Sequence, residues 1–177
     1  MGISNKSRPA SPPDSSERAR TDAKNWDVIS RFTWVVASLG VHLDELRYHW
    51  GKRLGITGPQ WMILMAIAEL DQGDGVPVSV VSKKLHVDSS FITTQSKILE
   101  EKGFIHRKSS IEDGRVVQMS LTDKSRKQLA GLAPQREALN QFILGELDGH
   151  ELGELTDKLV ALQARLEKAC VKVVLDI

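Results

Sequence analysis

Several groups of residues in this chain have the types and spacing to do chemistry. His42, Glu45 and His49 recur at i, i+3 and i+7, one face of a helix. Imidazole and carboxylate bind metals, but along a helix axis the two histidines would stand about 10 Å apart, too far to share one ion. They are expected to line a cavity or the surface. Trp26, Trp34, Tyr48, Trp50 and Trp61 gather in the same region of a chain that is only 5% aromatic. Core packing would explain them. So would the apolar wall of a small-molecule pocket, which needs a few polar anchors as well. Arg47, His42 and His49 could supply those anchors. An arginine fork beside aromatics suits a carboxylate, because it can hold two oxygens at once. Trp34, His42, Arg47 and Trp50 are therefore the candidate ligand contacts. The lone Cys170 rules out an intrachain disulfide and a cysteine-based zinc site. Without a neighbouring cysteine it is expected to be a buried structural thiol. No phosphate-binding glycine loop is present, and no Ser/His/Asp set has a local signature. Neither an enzyme nor a cofactor is expected.

A second group is built for a different task. Ser90, Thr93, Thr94 and Lys97 share the outward face of a segment whose inward positions are Ile92, Ser96 and Leu99. Small hydroxyls early in a helix let a backbone approach DNA, where they can meet phosphates or base edges. Threonine methyls can also pack on thymine methyls. An ordinary solvated helix face would look the same. Arg107, Lys108 and Arg115 follow on or beside a hairpin loop. Residues 79–115 hold seven Lys/Arg and five Asp/Glu, whereas residues 137–177 hold four and eight. The overall charge of +1 hides this polarity.

The elements that must position these residues can be read from spacing and punctuation. Among 177 residues, 41% apolar and 27% charged, no run reaches the ~18 apolar residues of a membrane span. No segment resembles a signal peptide, so a cytoplasmic, reduced protein is expected. Residues 1–22, rich in serine and proline, are expected to form a disordered arm. Trp26, Ile29, Phe32, Val36, Leu39, Leu43 and Leu46 step by three and four, a helix apolar on more than one face. It should end near residue 53, before Gly55. Thr57 and Gln60 have capping-box spacing around Pro59, and open a helix to Leu70 with Trp61, Leu64, Met65 and Ala68 inward. Val76–Val78 allows at most a minimal strand. A short helix over Ser79–His86 should turn Val80, Val81 and Leu85 inward. Asp88 should cap a helix over 89–102 that stops at Gly103. Strands over 104–108 and 116–121 then flank an Asp-Gly turn. Thr122 caps the next helix, which Pro134 should kink or interrupt. Asp148 and Glu151 open the last helix. Its Leu152, Leu155, Leu159, Leu162 and Leu166 form a 3.5-residue seam for a partner helix.

Two short helices, a tight turn and a hairpin in this order make a winged helix-turn-helix. Leu99-Glu100-Glu101-Lys102-Gly103-Phe104-Ile105, Asp113-Gly114-Arg115 and Met119-Ser120-Leu121-Thr122 resemble the MarR family of bacterial winged-helix regulators. The element order matches over residues 24–174, the specific motif over about 99–122. Phe104 replaces a commoner leucine and Ser125 a common glycine. The resemblance implies that Ser89, Ser90, Thr93, Thr94 and Lys97 face the major groove. Arg115 would enter the minor groove, oriented by Asp113, while Arg107 and Lys108 bind phosphates. It also implies a homodimer through the first and last helices on a pseudo-palindromic double-stranded operator. A small aromatic acid or phenol would release the DNA.

The expected fold is therefore mainly α. A winged helix-turn-helix lobe over residues 58–122, with a small β-hairpin wing, sits between helical dimerisation regions over 23–57 and 123–177. The expected function is that of a ligand-responsive regulator, a repressor because such proteins occlude promoters. The alternative is an architectural winged-helix protein, indifferent to ligand or redox state, that binds duplex without reading it.

Overall fold

The computed structural model describes residues 15–111 and 113–175. The part of the expected arm over residues 1–14 lies outside them. The chain divides into two units between Leu121 and Thr122.

In the first unit, α1 spans Ser15–Leu54. Residues 15–22, expected to belong to the arm, are helical instead. Glu17, Arg18, Ala19 and Arg20 favour helix, and extending a helix needs no new nucleus. Gly55, at φ +72°, ends the run in the left-handed region. The chain then folds back so tightly that a Cβ on Gly51 would lie 2.7 Å from the Ile56 carbonyl oxygen. α2 (Gly58–Leu70) opens with the expected reciprocal cap. The Gln60 N–H donates to the Thr57 hydroxyl at 3.3 Å, and the Thr57 N–H donates to Gln60 Oε1 at 3.2 Å. Its buried face includes Trp61, Ile63, Leu64, Ala66 and Ile67. Ala68, expected inward, is exposed, and Met65 is only half-buried. α2 contacts α1, α3 and α4, so several faces are covered and one helical stripe misjudges the phase.

β1 (Val76–Pro77), α3 (Val78–Leu85), α4 (Ser89–Glu101), β2 (Ile105–Ser109) and β3 (Val117–Leu121) complete the unit. The wing is a three-stranded antiparallel sheet in the order β1-β3-β2, with Val76 opposite Met119 and Ile105 opposite Leu121. Val81 is buried, but Val80 points outward. The place beside Val81 in the core is taken by Ser82, which is also buried. On α4 the expected inward set holds: Ile92, Ser96 and Leu99 are fully buried. Gly103, at φ +73°, closes α4 as the Phe104 N–H reaches back to the Leu99 carbonyl at 2.9 Å.

In the second unit, α5 spans Asp123–Leu144 and α6 spans Gly149–Leu175. Thr122 caps α5 through the Ser125 N–H at 3.2 Å. The helix continues through Pro134 without interruption, although the proline removes one donor. Asp148 and Glu151 exchange side-chain and backbone bonds of 2.8 and 3.0 Å at the start of α6. No described residue of α6 is buried within the chain: Leu155, Leu159 and Leu166 are about half exposed. Cys170, expected to be buried, is exposed for the same reason. Among the described residues no helix is long and apolar enough to cross a membrane.

Candidate nucleic-acid interface

α3, a turn and α4 form the helix-turn-helix. The turn reverses at His86, which sits at φ 53°. Side chains lock it. Ser82 donates its hydroxyl to the Val87 carbonyl at 2.7 Å, and Ser89 donates to Ser82 Oγ at 3.0 Å. Asp88 caps α4 by accepting the Ser90 N–H at 2.7 Å. Side-chain and backbone bonds from Ser90 hold its carboxyl below the ordinary value. A depressed carboxyl strengthens the cap at neutral pH, and that contribution is lost as pH falls through the lowered value. The start of α4 therefore loses this part of its cap in acid.

Ser89, Ser90 and Thr94 are exposed on this helix, with Lys97 one turn on and Thr93 half-buried. Thr93 donates its hydroxyl to the Ser89 carbonyl at 2.8 Å and Thr94 to the Ser90 carbonyl at 3.0 Å. The polar residues expected to meet DNA are therefore brought together on one face.

The wing is partly as expected. Lys108, Asp113 and Arg115 are exposed. Asp113 accepts the Arg115 N–H at 2.9 Å, and the Val116 N–H returns to the Asp113 carbonyl at 2.9 Å. Asp113 orients Arg115 through its backbone. Arg107 does not join them. Its side chain is 13% exposed and lies 3.9 Å from the Glu100 carboxylate, which also accepts the Arg107 N–H at 2.9 Å. Alternate strand residues share a face, so Arg107 follows Ile105 toward α4 while Lys108 faces away. Arg107 braces β2 against the recognition helix.

Arg115→Ala is expected to weaken operator binding by about 1–3 kcal/mol, the worth of a specific groove contact. The loop is exposed, so thermal stability should stay unchanged. Titration of a labelled operator checks this, and full affinity in the folded variant would remove Arg115 from the interface.

Behind the recognition helix lies a cavity of about 730 Å³. Arg47 and Tyr48 of α1, Met62 of α2, Lys84 of α3, His86 of the turn and Phe91 of α4 line it. Arg47 is paired with Asp44 at 2.7 Å on its rim. Of the four candidate ligand contacts, only Arg47 reaches this space. Trp34 is 75% exposed. His42 is exposed too, its ring bonded to the Ser38 carbonyl at 2.7 Å. Each lies about 140° round the helix from Arg47 at 3.6 residues per turn. Trp50 stacks on Trp61 with centroids 6.0 Å apart, part of the packing between α1 and α2. His49 and Glu45 approach within 3.9 Å, and no group of three metal-binding side chains occurs among the described residues. Sequence reasoning missed Met62, Lys84, His86 and Phe91. The available signal was Phe91, a large apolar residue placed off the inward stripe of α4.

Comparisons with known proteins agree with this geometry. The MarR family model matches residues 56–117. The organic hydroperoxide resistance transcriptional regulator of Bacillus subtilis (strain 168) is 37% identical over 118 residues, 66% of this chain and 76% of that protein. The structure of a MepR–DNA complex from S. aureus superposes with a TM-score of 0.65 at 17% identity, covering 76% of this chain and 97% of MepR. CouR from Rhodococcus jostii RHA1, solved with p-coumaroyl-CoA, gives a TM-score of 0.65 at 18% identity over 74% of this chain and 90% of CouR. A winged helix-turn-helix with these relatives is not an enzyme: the chain belongs to the MarR family of DNA-binding transcriptional regulators.

Proposed function

We propose that the protein is a repressor that binds a pseudo-palindromic operator as a homodimer in the cytoplasm. A small aromatic or phenolic carboxylate in the cavity behind α4 releases it. One observation carries the ligand-response reading: the cavity places Arg47 and, on its recognition-helix wall, Phe91 against the same space. A ligand that fills the space acts on the helix that reads DNA. Lys84, paired with Glu69 at 2.6 Å, and His86 add cationic or hydrogen-bonding groups to Arg47, while Tyr48, Met62 and Phe91 supply apolar wall. That combination suits an anionic aromatic ring. Ser89, Ser90, Thr93, Thr94 and Lys97 form the groove-facing surface, and Lys108 and Arg115 form the wing contacts. The polar face, the locked turn and the exposed wing support this assignment.

The test is a panel of aromatic acids, phenols and acyl thioesters, each assayed for thermal stabilisation and for its effect on operator affinity. A ligand that prefers the DNA-free state must raise the melting temperature and weaken DNA binding together. Arg47→Ala is expected to reduce the response to a carboxylate effector by about 1.5–3 kcal/mol, the worth of a hydrogen bond to a charged group. Operator affinity without effector should persist. Loss of ligand-free operator binding in a folded Arg47→Ala protein would place Arg47 in the DNA interface instead.

A further inference from the structure

Three hydroxyls of the recognition-helix face, those of Ser89, Thr93 and Thr94, have their protons committed to partners within the chain. A hydroxyl has one proton to donate. Ser82 gives its own to the Val87 carbonyl, so the proton between Ser89 and Ser82 comes from Ser89. Thr93 and Thr94 donate to the carbonyls of Ser89 and Ser90. Each bond also braces the turn or the first helical turns, so giving it up for a DNA contact returns little net energy.

Thr93 and Thr94 are left with methyl surface and oxygen lone pairs to offer. In the major groove, guanine presents acceptors at N7 and O6, which need donors. Thymine presents a methyl group, and its adenine partner presents an amino donor. At Thr93 and Thr94 this complements the A·T pair and offers guanine no donor.

We propose that α4 reads A·T pairs in each half-site through the methyl groups of Thr93 and Thr94 packed on thymine 5-methyl groups. This rests on the reading of α4 as the major-groove helix. Lys97, one turn on from Thr93 and Thr94 and exposed, adds positive charge to the same face.

The experiment selects sites from a pool of random-sequence duplexes with the full-length protein. The enriched duplex is then resynthesised with deoxyuridine replacing single thymines, which removes only the 5-methyl group. Affinity should fall about fourfold for each contacted methyl removed, the equivalent of one buried methylene. Thr94→Ser, which drops the side-chain methyl, should lose a similar about fourfold on the thymine duplex and nothing further on the uracil duplex. Thr94→Val, which keeps a methyl and drops the hydroxyl, should bind the thymine duplex within about twofold of the parent. Half-sites in which no uracil substitution costs affinity would overturn the proposal, as would Thr94→Val failing where Thr94→Ser binds normally. The uracil series needs no altered protein, so it decides the matter even where a variant fails to fold. A pool that shows no enrichment at all overturns the underlying reading of α4 as a sequence reader.

Discussion

Removing residues 163–177 is expected to leave a monomer or an aggregate that no longer recognises its operator. Leu155, Leu159 and Leu166 of the α6 row are about half exposed in the single chain, and Val173 and Val174 beyond it are about four-fifths exposed. Burying one leucine is worth roughly 1.5–3 kcal/mol. Leaving the row uncovered would cost several times that, and a two-fold partner covers it with an identical face. The consequence for DNA follows from geometry. Two recognition helices must reach half-sites about 34 Å apart on one side of the duplex. A monomer has one, so affinity should fall at least about a thousandfold, toward the non-specific level. The recognition helix and the wing lie outside the deleted segment. Sedimentation and operator titration report the two effects separately. A well-dispersed monomeric truncation with full operator affinity would sink both the dimer and the two-half-site mechanism.

Leu99→Ala should produce the second large effect, on stability rather than assembly. Leu99 is fully buried on α4 beside Ser96, and its carbonyl accepts the Phe104 N–H that leads the chain into β2. Truncating a buried leucine typically costs about 2–5 kcal/mol from lost transfer energy and the void left behind. The cost should appear as a lower urea midpoint with an unchanged slope. DNA binding should weaken with it, because α4 loses its inner anchor. Arg115→Ala gives the opposite pattern, with affinity lost and midpoint kept. A Leu99→Ala protein with the parent midpoint would mean that α4 is held elsewhere.

The recognition helix was the most legible part of the chain. Asp88 and Gly103 mark its ends by backbone chemistry, and Ile92, Ser96 and Leu99 follow the helical period between them. The caps at Thr57, Thr122 and Asp148 were legible for the same reason: each depends on residues three apart. β1 was only half visible, because two residues cannot display a period and Val76–Pro77 is defined by its pairing with β3. The cavity was misread for a different reason. α1 carries apolar residues on several faces, so sequence spacing cannot say which face looks inward. Residue type alone points equally to Trp34, His42 and Arg47, and only tertiary structure singles out Arg47 as a cavity residue. Arg107 shows the limit of counting charge: strand alternation turns it toward Glu100. Cys170 and the α6 leucines show another. A seam designed for a partner is apolar in sequence yet open to water in the isolated chain.

The wing sheet has a further consequence, for how the protein behaves when concentrated. β1 and β2 are its two outer strands. An open strand edge is a template on which another chain can add and begin a fibril. Here one edge is only two residues long and contains Pro77, which has no N–H to offer. The other edge carries the exposed His106 and Lys108, and a charge on an edge disfavours a neutral, flat stack of strands. Both borders are therefore closed to β-type aggregation. The wing proposed to meet DNA is thus kept from pairing with its own copies.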